Sequence, residues 1–165
     1  MLPVSSALRL DVKSDVIRSY RLLGYADPGA GGDAVVTAQR GLPPGWSNFV
    51  LYELNPAQRA VFTEHWVLVR AGLAVGEDNP RGLSVPVTSP PRDWGSASPN
   101  FKTASVLAAY GMLLRDSFYK GGLEPTLMRQ LAEDAMRDVS TGDLIQREAL
   151  QLVIDSENLL IAAGR

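Results

Sequence analysis

The spacing of apolar residues changes at Ser98, and this change limits the fold more than any other feature of the chain. Before Ser98, short apolar runs alternate with Gly and Pro, and nine of the eleven prolines fall there. Proline removes a backbone donor and fixes φ, so a segment so often interrupted cannot hold long helices. After Ser98 the apolar residues recur at helical spacing. Strands first and helices afterwards define the α+β class.

The first portion, residues 1–97, is expected to hold an antiparallel sandwich-like sheet over about residues 8–90. Asp15 to Gly24 mixes β-branched and aromatic residues and alternates at Val16, Arg18, Tyr20 and Leu22, as a strand does. Ala34 to Ala38, Asn48 to Leu54, His65 to Val75 and Gly82 to Val87 are the further strand candidates. Asp27 to Gly32 and Gly41 to Gly45 are turn segments, because Gly and Pro reach the required dihedrals at little steric cost.

The second portion, residues 98–165, predicts three helices packed on one another and on the sheet as one integrated domain, with Ser89–Ser98 as connector. In the first helix, Phe101, Ala104, Ala108, Gly111 and Leu114, flanked by Leu107 and Tyr110, form the expected inward face. Gly121-Gly122 stops it, and Pro125 suits the first turn of the next. That second helix turns Met128, Leu131, Ala132, Ala135 and Met136 inward. Thr141 or Asp143 caps the third, whose expected inward set is Ile145, Ala149, Leu152, Val153, Ser156 and Leu160.

Composition excludes several functions. Sixteen basic and eighteen acidic residues give a formal charge of −2. Only three lysines occur (Lys13, Lys102, Lys120), and no cationic cluster offers phosphates a footprint, so no nucleic-acid partner is expected. Cysteine is absent, which removes disulfides, thiolate metal sites and thiol catalysis. The apolar runs fall far short of the ~20 residues that span a bilayer, so membrane insertion is not expected and the chain reads as soluble. Met1 to Val16 lacks the basic head and apolar stretch of a signal peptide. The compartment stays open, since a parent protein carrying its own leader can be exported.

Candidate chemistry is sparse. His65 is the only histidine, and a hydrolase would have to pair it with Glu64 or Glu53. A general base needs a second positioned group and a pocket, so a surface or interfacial role suits it better. With one histidine and dispersed acids, no metal site is expected. Gly29-Ala30-Gly31-Gly32-Asp33 lacks the Lys-Ser/Thr ending of a phosphate loop. No cofactor follows from these residues, and no catalytic residue is assigned. Trp46 and Trp94 stand in Pro/Gly-rich segments, and with Arg92 they are the candidate partner-binding residues, tryptophan and arginine being favoured at binding hot spots.

Several segments resemble the C-terminal region of bacterial YfbK-like proteins, which carry a von Willebrand factor type A domain. They are Tyr20–Tyr25 (YRLLGY), Leu51–Leu54 (LYEL) and, most specifically, Tyr110–Ser117 (YGMLLRDS) with Tyr119-Lys120-Gly121; the likeness runs over about residues 12 to 160. The region is catalogued as a domain of unknown function, and this chain lacks the type A domain itself. Asp93-Trp94-Gly95-Ser96-Ala97-Ser98 is similar to that domain's Asp-x-Ser-x-Ser metal motif but carries one residue too many between Asp93 and Ser96. It therefore reads as turn and helix-start chemistry.

The resemblance gives Tyr110–Gly121 a structural reading. Gly111 is expected to admit a close backbone approach, and Leu113 and Leu114 to be core. Arg115 and Asp116 are expected to tie the helix end to Tyr20-Arg21 or Glu53, while Tyr119 and Lys120 hold the corner.

The function expected is a non-enzymatic accessory module supporting protein–protein interaction or assembly. It packs with or follows a type A domain in the same or another chain, or pairs with a second copy through an open sheet edge. A stand-alone ligand- or peptide-binding module is the alternative, and a His65 hydrolase the remote one.

Overall fold

A computed structural model describes residues 4–23, 35–38, 50–62, 65–75 and 80–164 of the chain. The fold is α+β, with strands preceding helices. Two compact units divide it, Met1–Pro91 and Arg92–Arg165. The Asp27–Gly45 segment and Trp46 lie outside the described residues.

The first unit holds six strands: β1 (Val4–Val12), β2 (Ile17–Leu23), β3 (Val35–Ala38), β4 (Leu51–Pro56), β5 (Val67–Val75) and β6 (Pro80–Val87). Four form an antiparallel sheet in the order β3-β1-β5-β6, and β2 pairs with β4 in a second sheet. The five strand segments expected from the sequence are present with shifted ends. β1 was not expected, yet it is central, pairing with β3 on one side and with β5 from Val4↔Val75 to Val12↔Val67 on the other.

Alternation explains the core of this unit. Leu10 and Val12 on β1 stand in register with Val69 and Val67 on β5, which face Val85 and Val87 on β6. Cross-strand neighbours of this kind pack side by side on one face. Leu10, Val16, Ile17, Trp66 and Val67 are buried, with Tyr20, Tyr52, Leu54 and Phe62 packed against them, so both sheets contribute to one apolar cluster. A tight turn links β1 to β2, in which the Val16 and Ile17 amides both donate to the Lys13 carbonyl at 3.1 and 2.8 Å. Trp66 stacks edge-on against Phe62 at 5.0 Å. Its indole N–H donates to the Ser89 carbonyl at 2.9 Å, which satisfies the polar edge of an otherwise apolar ring.

The second unit contains α1 (Pro99–Leu114), α2 (Pro125–Asp138), α3 (Leu144–Asp155) and α4 (Glu157–Ala162). The third expected helix is present as α3 and α4, which meet at Ser156. Across that residue the Ser156 amide donates to Leu152 and the Leu160 amide to Ser156, while the Ser156 hydroxyl donates to the Val153 carbonyl at 2.8 Å, so the helix is interrupted there for one residue. Val106, Leu113, Met128, Ala132, Ala135, Val139, Leu150, Val153 and Leu160 form the core. Ala132 and Ala135 let α2 approach its neighbours, and each of the larger side chains contributes about 1.5–3 kcal/mol by leaving water.

The helix ends follow capping chemistry. Ser98 accepts from the Phe101 amide at 3.3 Å, with Pro99 at the first helical position, and Asp143 accepts from the Gln146 amide at 3.1 Å. At the other end of α1 the Ser117 amide reaches the Met112 carbonyl at 2.9 Å, and the Asp116 amide reaches Leu113 at 3.1 Å. This is a Schellman ending. Its left-handed position is taken by Asp116 (φ 52°) instead of glycine.

Three expectations about the helices are corrected. The inward face of α1 is Lys102, Thr103, Val106, Met112 and Leu113, whereas Phe101 and Leu114 are exposed. Because α1 is apolar nearly all round, periodicity alone does not select a side. A Cβ placed on Gly111 would meet nothing within 4 Å, so close approach does not explain that glycine. On α3, Ala149 and Val153 turn toward the core but Ile145 and Leu152 turn outward.

Candidate functional site

A buried polar cluster in the helical unit sits where α1 begins and α2 ends. Lys102 is only 3% exposed. Its ammonium group pairs with Asp138, lies 3.6 Å from Asp134 Oδ2, and sits 5.6 Å from the centre of the Trp94 ring. Trp94 Nε1 donates to the same Asp134 carboxylate at 2.5 Å, and Arg137 pairs with its other oxygen. The Trp94 bond, helped by Arg137 and Lys102, holds the Asp134 carboxyl below its ordinary pKa, while the bond to Asp138 raises Lys102 above its own.

This cluster is closed on itself. The cation has two carboxylates and an aromatic face, and the indole N–H has its acceptor. Buried charge is tolerated where it is paired and hydrogen-bonded in this way. The arrangement locks the Trp94 segment and α1 to α2.

The sequence candidates fall as follows. Trp94 is half-buried against the helical core, in a 3-10 turn over Trp94–Ser96. Arg92 is exposed two residues before it, so the structure puts both on one segment. Asp93 accepts from the Ser96 amide at 2.9 Å and from its hydroxyl at 2.7 Å. These bonds hold the Asp93 carboxyl below its usual pKa, and with Ser98 capping α1 the motif does turn and helix-start work. Among the described residues no group of three or more acids or histidines converges as a metal site would require. His65 is exposed ahead of β5, Glu64 lies outside the described residues, and Glu53 accepts from Arg21 Nε at 2.8 Å, its register partner across β2 and β4. In the corner, Asp116 pairs with Lys120, and exposed Phe118 rests edge-on against Tyr119 at 5.4 Å.

Two surfaces present groups that have no partner among the described residues. The first is β6, the outer strand of its sheet. The Lys13 amide donates to the Trp66 carbonyl, so even-numbered residues of β5 bond toward β1 and odd-numbered ones toward β6. Val85 and Leu83 face Val69 and Ala71, so their backbone groups point inward. The amides of Gly82 and Ser84 then point outward, while Pro80 and Pro86 fill the flanking outward positions without a donor. Leu83 and Val85 expose 64% and 47% of their surface beside this edge.

The second surface runs along α3 and α4. Ile145, Leu152 and Leu159 are 82%, 64% and 73% exposed. The first two were expected inward by spacing, which fits a buried stripe equally well. An open depression of about 520 Å³, lined by Ser140, Gly142, Asp143, Leu144 and Ile145, adjoins the start of this helix. Its size reaches the range of ligand sites, but exposed walls give it little with which to desolvate a ligand. No helix among the described residues is long and apolar enough to cross a membrane.

Fold and surfaces together describe an α+β protein whose described polar clusters serve its own helix ends and strand pairs. No family model, curated protein or solved structure matches the chain.

Proposed function

We propose that this chain is a non-enzymatic interaction module that associates through the outer edge of β6, either with a von Willebrand factor type A domain or with a second copy of itself. The observation that carries the reading is the pair of outward amides, Gly82 and Ser84, beside exposed Leu83 and Val85. An added strand gains main-chain hydrogen bonds from such an edge and specificity from the neighbouring apolar side chains. Pro80 and Pro86 confine the pairing to a short central stretch, which restrains unlimited edge-to-edge growth. The likeness of Tyr110–Ser117 and Leu51–Leu54 to YfbK-like proteins favours the type A domain as partner. An extended peptide added to the same edge is the second reading, and it rests on the same two amides.

Ser84→Pro tests this directly. Proline removes an outward donor while leaving the inward pairing of β6 to β5 in place. Light scattering of the chain, alone and with a type A domain from a YfbK-like protein, is expected to show a dimer or a complex that Ser84→Pro abolishes and Ser84→Ala keeps. A strict monomer that also ignores the added domain would sink the type A and homodimer readings together.

A further inference from the structure

We infer that the exposed face of α3–α4 is a docking site for a helix of another protein, one with an apolar heptad seam bordered by Lys or Arg. Ile145, Leu152 and Leu159 follow one another at seven-residue intervals. Seven residues make two helical turns, so the three stand in one row. Hydrogen bonds on both sides of Ser156, which itself keeps right-handed helical backbone, lead from α3 into α4 across a one-residue interruption. At 1.5 Å per residue the row is about 21 Å long, the span of roughly four turns of a partner helix.

The seven-residue period selects the shape of the occupant. A strand repeats its side chains every two residues and matches such a row at few points. A helix with apolar residues at the same period meets all three.

Charge selects its chemistry. Glu148 and Asp155 each follow a member of the row by three residues, which places both acids along the same border. Both are exposed. Asp155 accepts from the neutral Gln151 amide at 2.8 Å, and neither acid has a cationic partner among the described residues. A second copy packed antiparallel on this row would lay its own acidic border on the same side, acid against acid. A parallel copy would leave all four acids without a cation. Lysine or arginine beside a partner's seam instead pairs with both, as at the flanking positions of coiled coils.

This site is independent of the β6 edge, and a single set of variants separates the two. The probe is a synthetic amphipathic helix of about four turns, with Leu at every seventh position and Lys on both borders, titrated into the full chain by fluorescence anisotropy. A companion peptide carries Glu in place of Lys. The Lys-bordered peptide is expected to bind and to weaken with added salt. Leu152→Glu is expected to weaken it by about tenfold or more, as loss of a central apolar anchor does. Glu148→Lys with Asp155→Lys is expected to shift preference to the Glu-bordered peptide. Leu152→Ala and far-ultraviolet circular dichroism confirm that lost binding is not lost folding.

Equal binding of both peptides, or binding untouched by Leu152→Glu, would overturn the proposal. Loss of binding by Ser84→Pro but not by Leu152→Glu would place the peptide on the β6 edge and overturn it as well. Self-association of the chain that Leu152→Glu abolishes would make a second copy the occupant, which also contradicts it.

Discussion

Lys102, on the first turn of α1, forms its ion pair with Asp138, the last residue of α2, although the lysine is almost wholly buried. The pair fixes which side of α1 faces its neighbours. With Val106 and Leu113 on the same side, the rest of this apolar helix is left half-covered. A buried cation that loses one partner has no water to replace it. Lys102→Met is therefore expected to lower the midpoint of thermal unfolding, because Asp138 then loses its ion-pair partner and Asp134 keeps only the Arg137 cation. Adding Asp138→Leu is expected to recover part of that loss, so the two changes are not additive. A double variant as unstable as the sum of the singles would show that the pair contributes nothing specific.

That cluster and two further carboxyls of the helical unit set the pH range of stability. Hydrogen bonds hold three carboxyls below their ordinary pKa: Asp134 through Trp94, Asp93 through Ser96 and Glu157 through Arg129. Each contributes stability that is complete above the unfolded carboxyl value of about 4 and is lost as pH falls through its lower folded value. Lys102 is raised, first by its bond to Asp138. Its contribution is complete below the unfolded lysine value of about 10.4 and is lost as pH rises through the folded one. Helicity followed from pH 2 to 11 is expected to be flat between roughly pH 5 and 9.5, with an acid arm that shrinks in Asp134→Asn. An acid arm unchanged by that substitution contradicts the assignment.

Asp116 takes the left-handed position of the Schellman ending at φ 52°. A Cβ there meets the following carbonyl, at a cost of roughly 1–2 kcal/mol that Gly avoids and Asn or Asp partly offsets. Asp116→Asn is expected to be nearly neutral. Asp116→Val, branched at Cβ and without a polar group, is expected to lose about 1–2 kcal/mol in urea unfolding. If Asp116→Val unfolds at the same urea concentration as the parent, the left-handed turn is not under steric strain.

Much of this architecture was legible because glycine and proline punctuate the strands and caps mark the helices. Ser98, Pro99, Asp143 and Pro125 all stand where the pattern placed a helix start. β1 escaped because Ser5 and Ser6 interrupt the alternation of Leu8, Leu10 and Val12, so its first half lacks apolar contrast. The orientation of α1 was not legible because Leu107, Ala108, Tyr110 and Leu114 are as apolar as the residues that turn inward. Its side is chosen by Lys102, whose partners lie some 30 residues away in sequence. The row Ile145–Leu152–Leu159 was visible as spacing, but spacing does not say which of two apolar stripes meets the core. The two outward amides of β6 depend on pairing parity across three strands, which no local pattern contains.

Leu150 and Leu152 offer a comparison within one helix that links stability to the proposed surface. The two differ by about 200° around the axis; Leu150 is fully buried and Leu152 is mostly exposed. Leu150 touches a core closed by Val153, Ala132 and Ala135, where truncation removes transfer energy and leaves a cavity. Leu150→Ala is expected to cost about 2–5 kcal/mol. Leu152→Ala removes the same atoms from a site already in water, and its expected change is within about 0.5 kcal/mol. The two unfolding curves therefore separate sharply although the substitutions are chemically identical. A cost for Leu152→Ala that approached the Leu150→Ala value would mean that something covers this face in the folded chain. The row would then belong to the protein's own core and be closed to a partner helix.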